Sequence, residues 1–117
     1  MTRQEISRRY QIPLDVLLEY EEWALCGADK RRGDDWQYDD SDLERLSMVM
    51  TLLEIGFRVR EAEVYLRLTL EGEHSGAQRL RMLEERRGAI LEEIHCKERQ
   101  LQRLDCLRHA LRTARGG

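Results

Sequence analysis

The feature that most constrains this chain is an apolar repeat near its C-terminal end, spaced alternately by three and four residues. Ten positions from 80 to 111 follow this spacing. Seven of them are apolar: Leu80, Leu83, Ile90, Ile94, Leu101, Leu104 and Leu111. A repeat sustained for more than four heptads is typical of a coiled-coil seam. A helix about 48 Å long cannot bury its seam on a small head, so we expect a second copy of the chain to cover it.

Cations interrupt the seam at Arg87, Lys97 and Arg108. On one interpretation, their apolar stems pack in the seam while the charged ends reach water. On the other, they set the register and direction of the helix pair, as polar seam residues do in coiled coils. An antiparallel pair would place these cations near glutamates rather than near one another, so we expect that direction.

Composition limits the class of protein. The chain has 117 residues, enough for one small domain and an appendage. It is 41% hydrophobic and 37% charged, which is unlike a membrane protein or a fully disordered one. The sequence lacks the roughly 20 consecutive apolar residues of a membrane helix, and its first residues do not resemble a signal peptide. We therefore expect a cytoplasmic protein without a membrane partner.

The pattern of the first 25 residues predicts two short helices joined by a tight turn. Capping-box patterns at Thr2–Glu5, Ser41–Glu44 and Ser75–Gln78 predict three helix starts. The first predicted helix covers Arg3–Tyr10, and Pro13 suits the first turn of the second. We predict that Leu14, Leu17, Leu18, Glu21 and Leu25 form one mostly apolar face of that helix. A connection of two residues, Gln11 and Ile12, indicates a helix-turn-helix.

Residues 27–40 interrupt the helical pattern with glycines and charges, which predicts a loop or a short β-wing. Trp36 and Tyr38, two residues apart, should point to the same side. A third helix is predicted over 42–55, ended by Gly56, and a fourth helix follows. We therefore predict an all-α fold, in which a winged helix-turn-helix head, with a small β-wing, is followed by a long coiled-coil helix. The predicted domains are residues 1–72 for the head with its adjoining helical pair, and residues 75–114 for dimerisation.

This order of elements resembles the MerR family of bacterial regulators. The family follows its wing with Asp-Leu-x-Arg-Leu, and residues 42–46 match that motif in full. Its leucine-glycine-phenylalanine pattern corresponds to Ile55–Phe57, followed here by Glu61. The family's arginine-aromatic-aromatic-glutamate pattern corresponds to Leu18–Glu21. The resemblance implies a non-enzymatic transcriptional regulator that binds double-stranded DNA as an antiparallel coiled-coil homodimer.

The DNA-facing residues depart from the family pattern. Leu18 and Trp36 stand where MerR proteins carry arginines that contact phosphates. Residues 1–66 hold 9 Lys and Arg against 15 Asp and Glu, a net charge of −6, whereas DNA-binding heads are usually basic. The candidate DNA contacts are the basic residues of the first helix and the wing: Arg3, Arg8, Arg9, Lys30, Arg31 and Arg32.

A second resemblance fits these departures. Chaperone modulators of the CbpM type are MerR-like proteins that bind the J domain of a co-chaperone, and they carry a tryptophan-x-aromatic-Asp-Asp stretch. Residues 36–40 match that stretch. This resemblance implies a partner-binding site at Trp36, Tyr38, Asp39 and Asp40, and an acidic head would complement a basic J domain.

The sequence contains no recognisable catalytic, nucleotide-binding or metal-binding motif, so we expect no enzyme activity, no cofactor and no metal. The three cysteines, Cys26, Cys96 and Cys106, are an odd number and do not suggest a disulfide framework. We interpret them, and the tryptophans Trp23 and Trp36, as packing or surface residues rather than ligands.

Overall fold

The computed structural model describes residues 1–25, 31–32 and 35–116, with the backbone alone at residues 31, 32 and 35. The chain divides into two compact units, Met1–Met82, called the head here, and Leu83–Gly117. The elements, in chain order, are α1 (Arg3–Tyr10), α2 (Leu14–Glu22), β1 (Arg31–Arg32), β2 (Asp35–Trp36), α3 (Asp40–Glu54), α4 (Val59–Glu71), a 3₁₀ turn (Glu73–Ser75) and α5 (Gly76–Gly116). The prediction of an all-helical fold with a long C-terminal helix is confirmed.

The first two helices form the predicted pair. The Thr2 hydroxyl accepts a hydrogen bond from the Glu5 amide at 3.3 Å and caps α1. Gln11, with a φ of 56°, ends α1 in the left-handed conformation. Only Gln11, Ile12 and Pro13 separate the two helices, so the tight turn is confirmed.

The buried face of α2 differs from the predicted one. Val16, Leu17, Tyr20 and Glu21 are buried, whereas Leu14 and Leu18 are each 48% exposed, and Leu25, beyond the end of the helix, is half-buried. The apolar arc of this helix is wider than the side it buries. Periodicity therefore identified a helix correctly but assigned too wide a buried face.

The third helix begins two residues earlier than predicted. Its N-cap is Asp39, not Ser41: the Asp39 carboxylate accepts from the Asp42 amide at 3.0 Å, and the Asp42 carboxylate accepts from the Asp39 amide at 3.0 Å. This reciprocal capping box leaves Ser41 inside the first turn. The helix start predicted at Ser75 is confirmed, since α5 begins at Gly76, and the Ser75 hydroxyl donates to the Leu68 carbonyl oxygen at 2.6 Å.

Gly56 ends α3 as predicted. Its φ of 98° lies in the left-handed region, its amide donates to the Leu53 carbonyl, and the Phe57 amide donates to the Leu52 carbonyl, each at 3.0 Å. These two bonds form a Schellman motif, which turns the chain into α4. The turn brings α4 against α3, and Leu46, Val49, Leu52, Ala62 and Leu66 are all buried in the head.

The wing consists of β1 and β2, which pair antiparallel with Arg31 opposite Trp36 and Arg32 opposite Asp35. Two connecting residues, 33 and 34, lie outside the described part of the chain. Trp36 and Tyr38 are both buried, and their ring centroids lie 6.1 Å apart, as their spacing predicted.

The second unit contains the part of α5 that follows Met82. Every residue from Leu91 to Gly116 in this helix is exposed. Five seam residues, Leu80, Ile94, Leu101, Leu104 and Leu111, are 45–66% exposed, and Leu83 and Ile90 are half-buried. Among residues 1–25, 31–32 and 35–116, no helix has both the length and the apolar character needed to span a bilayer.

Two glycine substitutions test the local account of the helices. Gly56→Ala should destabilise the protein by roughly 1 kcal/mol, because alanine disfavours the positive φ at this turn. Gly88→Ala, inside α5 with nothing within 4 Å of the added methyl, should instead stabilise the helix by roughly 1 kcal/mol. Denaturant unfolding checks both, and effects of the same sign would contradict this assignment.

Candidate nucleic-acid interface

A buried carboxylate joins the first two helices to the base of the wing. Glu21 on α2 is 3% exposed. Arg3 on α1 donates two hydrogen bonds to this carboxylate, from Nη2 to Oε1 at 2.6 Å and from Nε to Oε2 at 2.9 Å. The Tyr38 hydroxyl, just after β2, donates to Oε2 at 2.5 Å. We call Arg3, Glu21 and Tyr38 the buried cluster. Its bonds fix three separate segments relative to one another.

A second carboxylate continues this polar core towards α3. Asp42 has no exposed surface, and its Oδ1 accepts from the Tyr20 hydroxyl at 2.6 Å. Arg45 Nη1 lies 3.6 Å from the same oxygen, and Oδ2 accepts from the Asp39 amide. Asp42 therefore caps its own helix and bonds to α2 at the same time.

Four aromatic rings pack around these carboxylates. The Tyr20 ring lies 6.0–6.3 Å, centroid to centroid, from the rings of Trp23, Trp36 and Tyr38. All four residues are at most 6% exposed. The Trp36 indole nitrogen is buried and finds no hydrogen-bond partner within the described residues. The aromatic residues thus pack as core.

The chain's first residue pairs with the end of the wing. The Met1 amine donates to the Tyr38 carbonyl at 3.0 Å, and the Tyr38 amide donates to the Met1 carbonyl at 2.8 Å. This exchange matches the hydrogen-bonded pair of an antiparallel ladder. It places the start of α1 beside the base of the wing.

The predicted DNA contacts fall into three groups. Arg8 and Arg9 are exposed in the last turn of α1. Arg31 and Arg32 form β1, although only their backbone is described, and Lys30 lies outside the described residues. Arg3 differs from the rest, because its guanidinium is bonded to Glu21 inside the head.

The exposed side of α2 carries no cation. Leu14, Asp15, Leu18, Glu19 and Glu22 are its exposed residues. In a helix-turn-helix, the second helix is the one placed in the major groove. This helix would bring three carboxylates there, and carboxylates repel phosphates while accepting hydrogen bonds from cytosine amino groups.

Most residues of the alternative partner site pack in the core or cap a helix. Trp36 and Tyr38 are each 5% exposed, and Asp39 caps α3. Asp40, in the first turn of α3, is exposed. In this conformation the motif serves mainly to build the head.

Cys96 and Cys106 are exposed free thiols on α5, and Cys26 lies outside the described residues. Within the described part of the chain, no three histidine, cysteine, aspartate or glutamate side chains are grouped as a metal site would require.

Comparison with known proteins decides the family. The profile of the MerR HTH family of regulatory proteins matches residues 1–69. The chain belongs to this family. The structure is similar to the crystal structure of a MerR-family transcriptional regulator from Bacillus thuringiensis, with a TM-score of 0.62 and 16% sequence identity. The superposition covers 90% of this chain and 93% of the Bacillus chain. The superposition shows that the two proteins share a fold. A comparison with curated proteins gives no match.

Sequence reasoning missed the role of Glu21 in this MerR-family head. Its neighbour Glu22 is exposed, and the Glu21–Glu22 pair resembles a solvated surface run. The available signal was its place on the predicted apolar face, four residues after Leu17. A carboxylate in that position needs a charged or hydroxyl partner. The sequence did not show that Arg3 and Tyr38 supply it.

The buried cluster predicts a loss of stability at high pH. Burial, followed by the hydrogen bond to Glu21 and its charge, raises the pKa of the Tyr38 phenol far above its ordinary value. In the unfolded chain the phenol ionises above pH ~10, whereas in the folded head it stays protonated. Its stabilising contribution is therefore complete below pH ~10 and falls by up to about 1.4 kcal/mol per pH unit above it.

Tyr38→Phe removes this contribution, so the stability advantage of the wild type over the variant should shrink as pH rises from 9 to about 11. Urea unfolding at each pH measures it. Tyr10→Phe, at a tyrosine that is 45% exposed, is the matched control. A wild-type advantage that stays constant across this range would contradict the assignment.

Proposed function

We propose that this protein is a cytoplasmic transcriptional regulator that binds double-stranded DNA as an antiparallel coiled-coil homodimer. The observation that carries the proposal is the head of a MerR-family chain, in which a tight helix pair and a wing are fixed together by Glu21. Two such heads, held apart by paired helices, would contact two half-sites of a pseudo-palindromic operator.

Phosphate contacts would come from the edges of the head. Arg8 and Arg9 extend from the exposed end of α1, Arg31 and Arg32 form β1, and Lys30 precedes them in the sequence. Arg3, which was a candidate contact from the sequence, positions α1 through Glu21 in this proposal. Phosphate contacts set register and orientation without reading bases.

Sequence selectivity would depend little on α2. Its exposed side offers carboxylates and leucines, which provide few favourable base contacts. Distortion of the DNA between two fixed heads gives a second source of selectivity, because the cost of bending or untwisting depends on base sequence. The proposal therefore places most selectivity in the shape of the operator.

The dimer is supported by the exposed seam of α5. Apolar residues repeated at coiled-coil spacing stay in water in one chain, and a second copy would bury them. The antiparallel direction is supported by the seam cations Arg87, Lys97 and Arg108, which would stack against their own copies in a parallel pair. Antiparallel pairing also places the two heads at opposite ends of the coiled coil.

DNA binding is tested by a salt series on genomic fragments that include the protein's own promoter. The wild type should bind saturably, and Arg31→Glu with Arg32→Glu should weaken the affinity by tenfold or more. It should also flatten the slope of log affinity against log salt by about 0.9 for each lost phosphate contact. Arg99→Glu with Arg103→Glu, on exposed positions of α5, is the matched control.

Equal affinity of the wing variant and the wild type for a confirmed operator would refute the assignment of these contacts. Absence of binding to every fragment at low salt would refute DNA binding itself.

The dimer is tested by charges placed in the seam. Leu101→Lys with Leu104→Lys should reduce the mass in solution from twice to once the 13.9 kDa of the chain, because two apolar seam contacts are lost and two ammonium groups would have to be buried in the seam. Gln102→Lys with Cys106→Lys, exposed and off the seam, should leave the dimer intact. Sedimentation equilibrium gives the masses.

A spin label at position 112 of a chain whose cysteines are replaced by serine tests the direction of the pair. Antiparallel helices place the two labels at opposite ends, and parallel helices place them within the width of the coiled coil. A short label-to-label distance would overturn the antiparallel arrangement.

A second candidate is a modulator of the CbpM type that binds a J domain. The negative charge of residues 1–66 favours a basic protein partner. The burial of Trp36 and Tyr38 weighs against the site implied by the motif and leaves Asp40. Titration with a purified J domain tests this function: saturable binding that Asp40→Lys weakens would support it, and no binding would exclude it.

A further inference from the structure

The exposed side of α2 forms a continuous stripe. Leu14, Leu18 and Glu22 follow one another at intervals of four residues, and Asp15 and Glu19 lie beside them at the same interval. Residues spaced by four share one helix face. Leu14 and Leu18 are each 48% exposed. We call these five residues the α2 face.

The α2 face is not needed to hold the head together. The core of the head is formed on the other side of α2, by Val16, Leu17, Tyr20 and Glu21. Among the described residues, Asp15, Glu19 and Glu22 make no salt bridge, and the Asp15 carboxylate accepts only from the adjacent Val16 amide. Two half-exposed leucines and three carboxylates are therefore presented to solvent without a cation on the helix.

We propose that the α2 face is a docking surface for a basic amphipathic helix of a partner protein. Leucines one turn apart form a ridge that a second helix can straddle with its own apolar residues. Lysines or arginines flanking that apolar stripe would lie near Asp15, Glu19 and Glu22. The charges then attract the correct partner and repel acidic ones.

Charge decides between this occupant and DNA. A nucleic acid would meet three carboxylates and no compensating cation on this face, whereas a basic helix satisfies both the carboxylates and the leucines. The proposal goes beyond DNA binding and does not depend on it, because the phosphate contacts assigned above lie on α1 and the wing. If both activities occur, a partner on α2 would compete with an operator.

The test uses the full chain and a defined probe, a helical peptide of lysine, leucine and alanine with leucines at i, i+3, i+4 and i+7. A second peptide with glutamate in place of lysine is the charge control. Binding is followed by calorimetry and by backbone amide shifts of the isotope-labelled protein. We expect saturable binding of the lysine peptide, with the largest shifts in residues 14–22.

Variants locate the binding. Leu18→Ala, and separately Glu19→Lys with Glu22→Lys, should each weaken peptide binding by roughly tenfold or more, as loss of a central contact does. Leu70→Ala is the matched control, since Leu70 is also 48% exposed but lies on α4. Glu84→Lys with Glu85→Lys, both exposed on α5, controls for charge. Circular dichroism confirms that each variant is folded.

Three results of the peptide experiments would overturn the proposal. The lysine and glutamate peptides could bind equally, the shifts could fall on the α5 seam, or the α2 variants could bind like the wild type. The α2 face would be assigned to DNA instead if an operator, and not the peptide, shifted the amide signals of residues 14–22. In that case Glu19→Lys with Glu22→Lys should raise the affinity for the operator. Loss of DNA binding alone leaves the peptide result unaffected, so the two proposals fail separately.

Discussion

The arrangement of the head depends on the hydrogen bonds that the Glu21 carboxylate accepts from Arg3 and Tyr38. A buried charge is costly unless it is paired and hydrogen-bonded. Glu21 meets that requirement with partners from two other segments, the Arg3 guanidinium before it in the chain and the Tyr38 hydroxyl after it. Breaking either contact leaves charge or hydrogen-bonding capacity unmatched in the core. The helix pair and the base of the wing are consequently held by the same atoms.

This use of Arg3 changes the electrostatic character of the surface. One cation of α1 is turned inwards, whereas Asp15, Glu19 and Glu22 face solvent on α2. On the first two helices, the exposed positive charge is then that of Arg8 and Arg9 at the end of α1. On the two proposals, such a head would contact DNA mainly at the phosphates, and α2 would bind a protein partner when no operator is bound. The family fold and the acidic composition are compatible, because the carboxylates lie on α2 whereas Arg8 and Arg9 lie at the end of α1.

Much of the fold followed from local sequence chemistry. Thr2 and Gly56 marked helix ends correctly because a cap and a positive φ depend on adjacent residues alone. The seam from Leu80 to Leu111 predicted a long helix for the same reason. The errors arose where distant segments decide. Leu14 and Leu18 lie opposite the side that α3 and the wing cover, and Asp42, which completes the capping box with Asp39, also accepts from Tyr20 on α2. No local pattern shows those contacts. The candidate site was predictable only in part, since exposed Arg8 and internally bonded Arg3 look alike in sequence.

Arg3 and Tyr38 act through one shared carboxylate, and a double-mutant cycle measures the coupling between them directly. Denaturant unfolding of the wild type, Arg3→Met, Tyr38→Phe and the double variant gives the coupling free energy. Both side chains donate to the same Glu21 oxygen. We therefore expect the sum of the two single losses of unfolding free energy to differ from the loss in the double variant by roughly 1 kcal/mol. Strict additivity would contradict it, since it would mean that α1 and the wing are held independently.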